Sequence, residues 1–301
     1  MSGEPLALTR RTLLAAAPAA GLLGLTPAFA QGTTAAPRVV SLDYGLSSTL
    51  LGLGAPPVGI TELAGWSEWV VEPAMPSGVA ELGISSEPNL EVLAALKPDL
   101  ILATSWLDAQ IPRLERFAPV LRLETFIWTG TPILEAAISA TRAVAARIGR
   151  APEAEAFLAR MEAVFAEARA RLAEREPRAV ALVHFWDSRH VRISADPSLF
   201  NDVLLRIGVR NAWEASTGPW GFQTLPVEEL SRVMDPEALL LVFEPVPQDV
   251  FATLDRSPLW RALPLAQPDR IRRLPPVLLF GMVNEATRFA RLVVEALEAE
   301  S

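Results

Sequence analysis

The chain predicts an α/β protein of two similar lobes with parallel-type sheets, joined by one long rigid helix. Three observations carry that prediction. Short apolar runs alternate with short helical patterns through the first 130 residues, the order of a parallel sheet. A pattern from Ala151 to about Glu176 keeps Phe157, Met161, Val164, Phe165, Ala168 and Leu172 on one face. The second half then repeats the order of the first, which points to two lobes with a cleft between them. At 301 residues and 50% apolar, the chain is long enough for both lobes to have a core.

Taken in order, Arg38 to Leu42 is the first strand, Ser47 to Leu53 a short helix and Val58 to Ile60 the next strand. A Trp-rich loop follows. Then Gly83 to Leu102 reads as a polar loop, a helix carrying Leu90, Leu93, Ala94 and Leu96, a stop at Lys97-Pro98-Asp99 and a buried strand. Pro119 to Leu123 closes this lobe, assigned to residues 38–130. Residues 131–177 form a bridging helical segment. One helix runs from Thr131-Pro132 to about Gly149. Ala151-Pro152-Glu153 opens the other, with Pro in its first turn. About 24 helical residues reach roughly 36 Å, enough for a stiff strut. The second lobe, 178–301, opens with a strand from Arg178 to Phe185. Val203 to Gly208 echoes Thr49 to Gly54, and Val227 to Val242 echoes Asn89 to Leu102.

The N-terminus predicts export. Arg10-Arg11 precedes an Ala-rich apolar run, and Ala28-Phe29-Ala30 is a small-x-small cleavage site. Residues 1–30 are therefore assigned as a twin-arginine-type signal peptide cleaved near Ala30. Pro18 and Pro27 and the short run argue against a membrane span. No cysteine follows to take a lipid, so the mature protein is expected to be periplasmic.

Composition and motifs exclude several functions. The net charge is -8 with no basic stripe, which argues against nucleic acid. The chain has no cysteine, hence no thiolate nucleophile, Cys-ligated zinc or iron–sulfur cluster. There is no phosphate loop, nucleophile elbow or His-Glu-x-x-His pattern. Gly52-Leu53-Gly54 closes a helix instead of following a strand, so it is no dinucleotide fingerprint. The two histidines read as structural, His184 in a strand and His190 in a turn. Glu228-Glu229 reads as a solvated helix face. Neither an enzyme nor a resident cofactor is expected.

The aromatic residues are more telling. The chain has eight Trp and a single Tyr. Trp66 and Trp69 fall in the loop after the second strand. Trp106 follows the strand ending at Ala103, Tyr44 follows the first strand, and Trp220 and Phe222 sit in a Gly/Pro turn. Open α/β sheets hold their ligands just beyond strand C-termini, and aromatic walls suit a bulky, partly apolar ligand. Trp128, Trp186, Trp213 and Trp260 read as ordinary packing.

From Arg38 onward the chain resembles the periplasmic ferric-siderophore binding proteins of ABC importers, closest to the iron(III)-hydroxamate, ferrichrome-type members. The first lobe carries the resemblance in Trp69-Val70-Val71-Glu72-Pro73, Leu82-Gly83 and Glu87-Pro88-Asn89-Leu90-Glu91. The second carries it in Asp187-Ser188-Arg189-His190, Ser198-Leu199-Phe200, Asn211-Ala212-Trp213, Trp220-Gly221 and Phe280-Gly281. It implies the helical-backbone binding-protein fold, limited lobe closure, a shallow aromatic cleft, a monomer, and delivery of a ferric siderophore to an inner-membrane permease with its ATPase.

By position, the resemblance makes Trp220 a pocket tryptophan, Trp69 a rim aromatic and Tyr44 a substitute for another pocket aromatic. Leu278, Leu279 and Phe280 become the wall of the second lobe. Two departures bear on the ligand. Ser85 stands where the family has a chelate-binding Arg, and Leu107, beside Trp106, where it has a pocket Tyr. Losing a charge-assisted donor costs about 1.5–3 kcal/mol in a matched complex. Haem or cobalamin on the same fold is the alternative ligand, with Tyr44 or a His as the candidate axial ligand to haem iron. An exported enzyme on this scaffold is the remaining one. Acidic residues on the lobe tops, Glu228 among them, are expected to dock basic residues of the permease.

Overall fold

The computed structural model describes residues 36–174 and 176–299. The expected signal peptide, residues 1–30, lies outside the described residues.

The first sheet contains β1 (Val39–Ser41), β2 (Gly59–Ile60), β3 (Ala80–Glu81), β4 (Leu100–Thr104) and β5 (Val120–Leu123), in the order β3-β2-β1-β4-β5. Every pair is parallel. β4 is buried along its whole length, as its unbroken apolar run requires of a strand covered on both faces. Four helices connect these strands: α1 (Tyr44–Gly52), α2 (Trp66–Trp69), α3 (Leu90–Leu96) and α4 (Ile111–Leu114).

The Lys97-Pro98-Asp99 stop has a double role. Lys97 ends α3 in the left-handed region at φ 45°. The Asp99 carboxylate then accepts the Arg38 N–H at 2.7 Å, and the Asp99 N–H donates to the Arg38 carbonyl, which aligns the starts of β1 and β4. At the other end of α3, the Asn89 side chain accepts from the N–H groups of Glu91 and Val92.

α5 (Ile133–Ile148) and α6 (Ala151–Ala173) follow. At 23 residues, α6 is the long helix that the apolar pattern predicts. The second sheet comprises β6 (Val180–Phe185), β7 (His190–Ser194), β8 (Phe222–Pro226), β9 (Leu239–Phe243) and β10 (Ile271–Leu274), in the order β10-β9-β6-β7-β8. Its helices are α7 (Leu199–Ile207), α8 (Val250–Leu254), α9 (Pro258–Ala262) and α10 (Val283–Glu298).

Five local expectations are corrected. The second sheet is mixed, because β7 and β8 run antiparallel to their neighbours. The cause is a tight turn in which the Asp187 carboxylate accepts the N–H groups of Arg189 and His190; His190 therefore opens β7 and is not in the turn itself. α1 starts at Tyr44, three residues earlier than the apolar pattern suggests, because the Asp43 side chain caps it by accepting the Leu46 N–H at 2.9 Å. Trp66 and Trp69 lie on a one-turn helix instead of a loop. The segment echoing α3, Val227–Arg232, is a 3₁₀ helix instead of an α-helix.

The cores explain how the sheets are held. One apolar cluster joins Val39, Leu100 and Leu102 of the first sheet to α5, α6, α7 and α10, and through them to Val180, Leu182, Leu239 and Leu241 of the second. The alternate residues of the same strands face two separate clusters on the outer sides. Phe200, Phe243 and Phe289 stack within the shared core at 4.6–5.8 Å. Each contributes about 1.5–3 kcal/mol by burial. A large rotation of one sheet against the other would have to expose this shared core. α10 also braces segments of the first half directly: the Asn284 side-chain amide donates to the Ser48 carbonyl in α1 at 2.8 Å, and Arg288 pairs with Glu72, just after α2, at 2.7 Å.

Candidate functional site

In a parallel sheet ordered 3-2-1-4-5, the chain leaves β1 on one side and returns to pair with its other side at β4. A crevice opens beyond the C-terminal ends of those two strands. A cleft of about 310 Å³ occupies that position. Leu42, Asp43 and Tyr44 reach it from the end of β1, and Thr61 and Glu62 from β2. Ser85 and Ser86 come from the loop after β3, and Thr104, Trp106 and Leu107 from the end of β4. The opposite side is Leu278 and Phe280, between β10 and α10.

Tyr44 is held from three directions. Its hydroxyl donates to the Glu62 carbonyl. Its ring meets Trp66 edge to face at 5.6 Å. Gly65 leaves room for it, since a Cβ there would lie 2.7 Å from the hydroxyl oxygen. Burial, then the charges of Glu62, Glu81 and Glu68, push the Tyr44 phenol up to about 12. It is therefore a neutral donor across the physiological range.

Asp43 caps α1 and borders the cleft. Burial pushes its carboxyl up to about 6, and Glu62 adds to the shift; the N–H groups of Leu46 and Gly45 oppose it. Glu62 sits in the left-handed region at φ 57°. Its Oε1 accepts from the Ser85 N–H and hydroxyl at 3.3 and 3.2 Å.

A chain of aromatic rings extends the cleft. Trp106, 59% exposed, packs on Trp220 at 5.0 Å and on Phe126 at 5.9 Å. Phe280 meets Phe126 at 4.9 Å, Trp220 at 6.3 Å and Phe222 at 6.2 Å. The backbone ties the two sides of this chain together, because the Trp128 N–H donates to the Pro219 carbonyl at 2.8 Å. Gly221, at φ 73°, permits the turn: a Cβ there would meet the Pro197 carbonyl oxygen at 2.6 Å.

Of the residues singled out in the sequence, Tyr44, Ser85, Trp106, Leu107 and Phe280 line the cleft. Trp220 and Phe222 join it through ring contacts. Trp66 is buried behind Tyr44, with its indole N–H on the Pro73 carbonyl, and acts as support. Trp69 lies one turn away, 45% exposed and outside the lining. Leu279 packs against the shared core. Glu228 is exposed on its 3₁₀ helix.

Sequence reasoning missed Asp43, Thr61, Glu62, Thr104 and Phe126. Each lies within three residues of a strand's C-terminal end, the same signal that singled out Tyr44 and Trp106. Acidic residues, threonines and a single Phe near strand ends are too common to mark a site by themselves.

Among the described residues, no group of three or more His, Asp or Glu could hold a metal ion. His184 stacks on Phe243 at 4.3 Å, and burial, with Arg192 adding, pushes its imidazole down to about 3. His190 pairs with Asp187 at 3.1 Å.

A family model described as periplasmic binding protein matches residues 39–278. The iron(3+)-hydroxamate-binding protein FhuD of Escherichia coli (strain K12) is 30% identical over 303 residues, 99% of each chain. The Fe(3+)-citrate-binding protein YfmC of Bacillus subtilis (strain 168) is 26% identical over 230 residues, 75% of this chain and 69% of its own. Among solved structures, the Fe3+-Desferal-bound siderophore-binding protein FhuD of Vibrio cholerae matches with a TM-score of 0.82 and 32% identity, covering 89% of this chain and all of that one.

Proposed function

The chain belongs to the periplasmic binding protein family, and on that footing we propose that it is the periplasmic solute-binding subunit of an ABC importer for a ferric siderophore, hydroxamate type favoured. The observation that carries this proposal is the cleft at the β1/β4 switch point, with Tyr44 and Ser85 on one side and Trp106, Trp220 and Phe280 forming an aromatic wall. It supports binding of a bulky chelate by its organic shell. Iron is cargo here: the cleft offers hydroxyls, carboxylates and rings to the chelate, and among the described residues there is no ligand set for the bare ion.

The likeness to a hydroxamate-binding protein along the whole of both chains supports the hydroxamate class. The relation to a citrate-binding protein is lower and covers less of each chain. Haem has less support, because Tyr44 keeps its proton and donates to Glu62, and His184 is buried. Among the described residues no helix is long and apolar enough to cross a membrane. The twin-arginine signal, cleavage near Ala30, a monomeric state and the lobe limits 38–130, 131–177 and 178–301 belong to the same proposal. So does docking of Glu228 on the permease. An unchanged uptake rate for Glu228→Ala would remove that residue.

The test is Trp fluorescence titrated with ferric hydroxamates, ferric catecholates, ferric citrate, haem and cobalamin. Saturable quenching by ferric hydroxamates at micromolar levels or below supports the proposal. Saturation by haem or cobalamin alone would keep the fold and overturn the ligand.

A further inference from the structure

We infer that this cleft selects, among ferric hydroxamates, chelates that carry a protonated amine, and that Glu62 is the residue that makes the selection. The inference rests on the ferric-siderophore proposal above.

The charge of the cleft is one-sided. Asp43 and Glu62 line it, and no Arg, Lys or His does. Glu62 is exposed, and among the described residues it makes no ion pair. Ser85 engages its Oε1, and among the described residues no hydrogen bond is made to its Oε2, so one carboxylate oxygen is left to a ligand. Glu81 stands behind it, with its carboxylate on the N–H groups of Ala64 and Gly83. The cation placed against the aromatic wall is Arg192, whose guanidinium lies over Phe222 at 5.1 Å and over Trp186 at 4.4 Å. The cleft is therefore acidic beside Tyr44, and Arg192 lies outside its lining, beyond Phe222.

The backbone supports a purposeful carboxylate. A left-handed residue is relieved by Gly or Asn, yet a Glu occupies the position at φ 57°. The ligand chemistry completes the inference. Three hydroxamates neutralise ferric iron, so the net charge of such a chelate is that of its substituents. A neutral core can pack on the rings of Trp220 and Phe280 while a pendant ammonium reaches Glu62. Anionic catecholate and citrate chelates would place negative charge against Asp43 and Glu62.

The probe pair is ferrioxamine B, which bears a pendant ammonium, and its N-acetylated form, which is neutral and nearly the same shape. Both are titrated by Trp fluorescence into the wild-type protein and Glu62→Gln, at low and at high salt. The wild type is expected to prefer the amine form about tenfold at low salt. Glu62→Gln, which can still accept from Ser85, is expected to reduce that ratio to about twofold or less. Salt should shrink the wild-type ratio, because this carboxylate is exposed. Equal binding of the two forms by the wild type, or a ratio unchanged by Glu62→Gln, overturns the inference and leaves the siderophore proposal standing. Failure of both chelates to bind overturns the siderophore proposal and the inference with it. The salt series reads the wild type alone, so a ratio that salt leaves unchanged overturns selection by charge even if Glu62→Gln folds poorly.

Discussion

The two sides of the cleft are built differently, although each belongs to a five-stranded sheet. The side from the first sheet is mainly polar: Asp43, Tyr44, Thr61, Glu62, Ser85 and Thr104 all stand within a few residues of parallel strand ends, and Trp106 and Phe126 are the rings it adds to the wall. The side from the second half is a set of rings: Trp220 on the turn before β8, Phe222 at the start of β8 and Phe280 after β10. Parallel strands deliver several chain segments to one edge, where their side chains can hydrogen-bond one another. Turns deliver single large side chains that gain by area. The polar side should therefore govern which chelate binds, and the aromatic side how tightly any chelate binds.

The largest expected effect tests the aromatic side. Truncating both rings, Trp220→Ala with Phe280→Ala, should weaken every ferric chelate by about 2–4 kcal/mol, roughly 30- to 1,000-fold, with little change in preference between chelates. Calorimetric titration of two chelates of different charge measures both quantities. A large change in preference would break the division between the two sides.

Next comes the polar side. Ser85→Arg puts a guanidinium against Glu62 and should shift the preference between neutral and cationic chelates by about tenfold toward the neutral one. The ratio of dissociation constants reads it. An unchanged ratio would mean that charge on this side does not govern selection.

A smaller effect concerns Asp43. Its folded pKa of about 6 lies above the usual carboxylate value, so the folded state holds the extra proton between about pH 4 and 6. That contribution to stability is full below about pH 4 and is lost as pH rises through 6. Asp43→Asn keeps an oxygen to cap α1 and removes the titration. It should stabilise the protein near pH 7 by about 1–2 kcal/mol relative to its own value at pH 4, compared with wild type. Urea denaturation at the two pH values measures this. His184 acts in the opposite sense: its folded pKa of about 3 makes its contribution full above about pH 6.5 and lost as pH falls toward 3. A variant with the wild-type slope would place the buried acid elsewhere.

The smallest expected effect is that of Tyr44→Phe. It removes one hydrogen bond to the Glu62 carbonyl and should cost about 0.5–1.5 kcal/mol of stability, read by thermal unfolding. The carbonyl of Glu62 can turn to water, which keeps the loss at the low end.

Much of this architecture was legible in the chain. The run Leu100-Ile101-Leu102 behind Lys97-Pro98-Asp99 marked β4, and the apolar face from Phe157 to Leu172 marked α6, because burial on both faces of a strand or along one helix stripe writes itself into composition. The antiparallel turn at Asp187 was not legible. It depends on one carboxylate accepting two N–H groups, and an Asp in a loop gives no sign of that. The cleft divides the same way. Trp106, Trp220 and Phe280 could be found because large rings beyond strand ends are uncommon. Glu62 and Asp43 could not, since an exposed Glu and a helix-capping Asp look ordinary until the strands bring them to one edge. Trp66 shows the converse: a loop tryptophan in the sequence is a buried prop in the structure.

The most direct measurement is a crystal structure of the protein with ferrioxamine B. The chelate is predicted to lie in the cleft beyond β1 and β4, its shell against Trp220 and Phe280, its polar atoms toward Tyr44 and Ser85, and no protein atom bonded to iron. A chelate bound away from this cleft, or a Tyr44 or carboxylate oxygen coordinating the metal, would contradict the account.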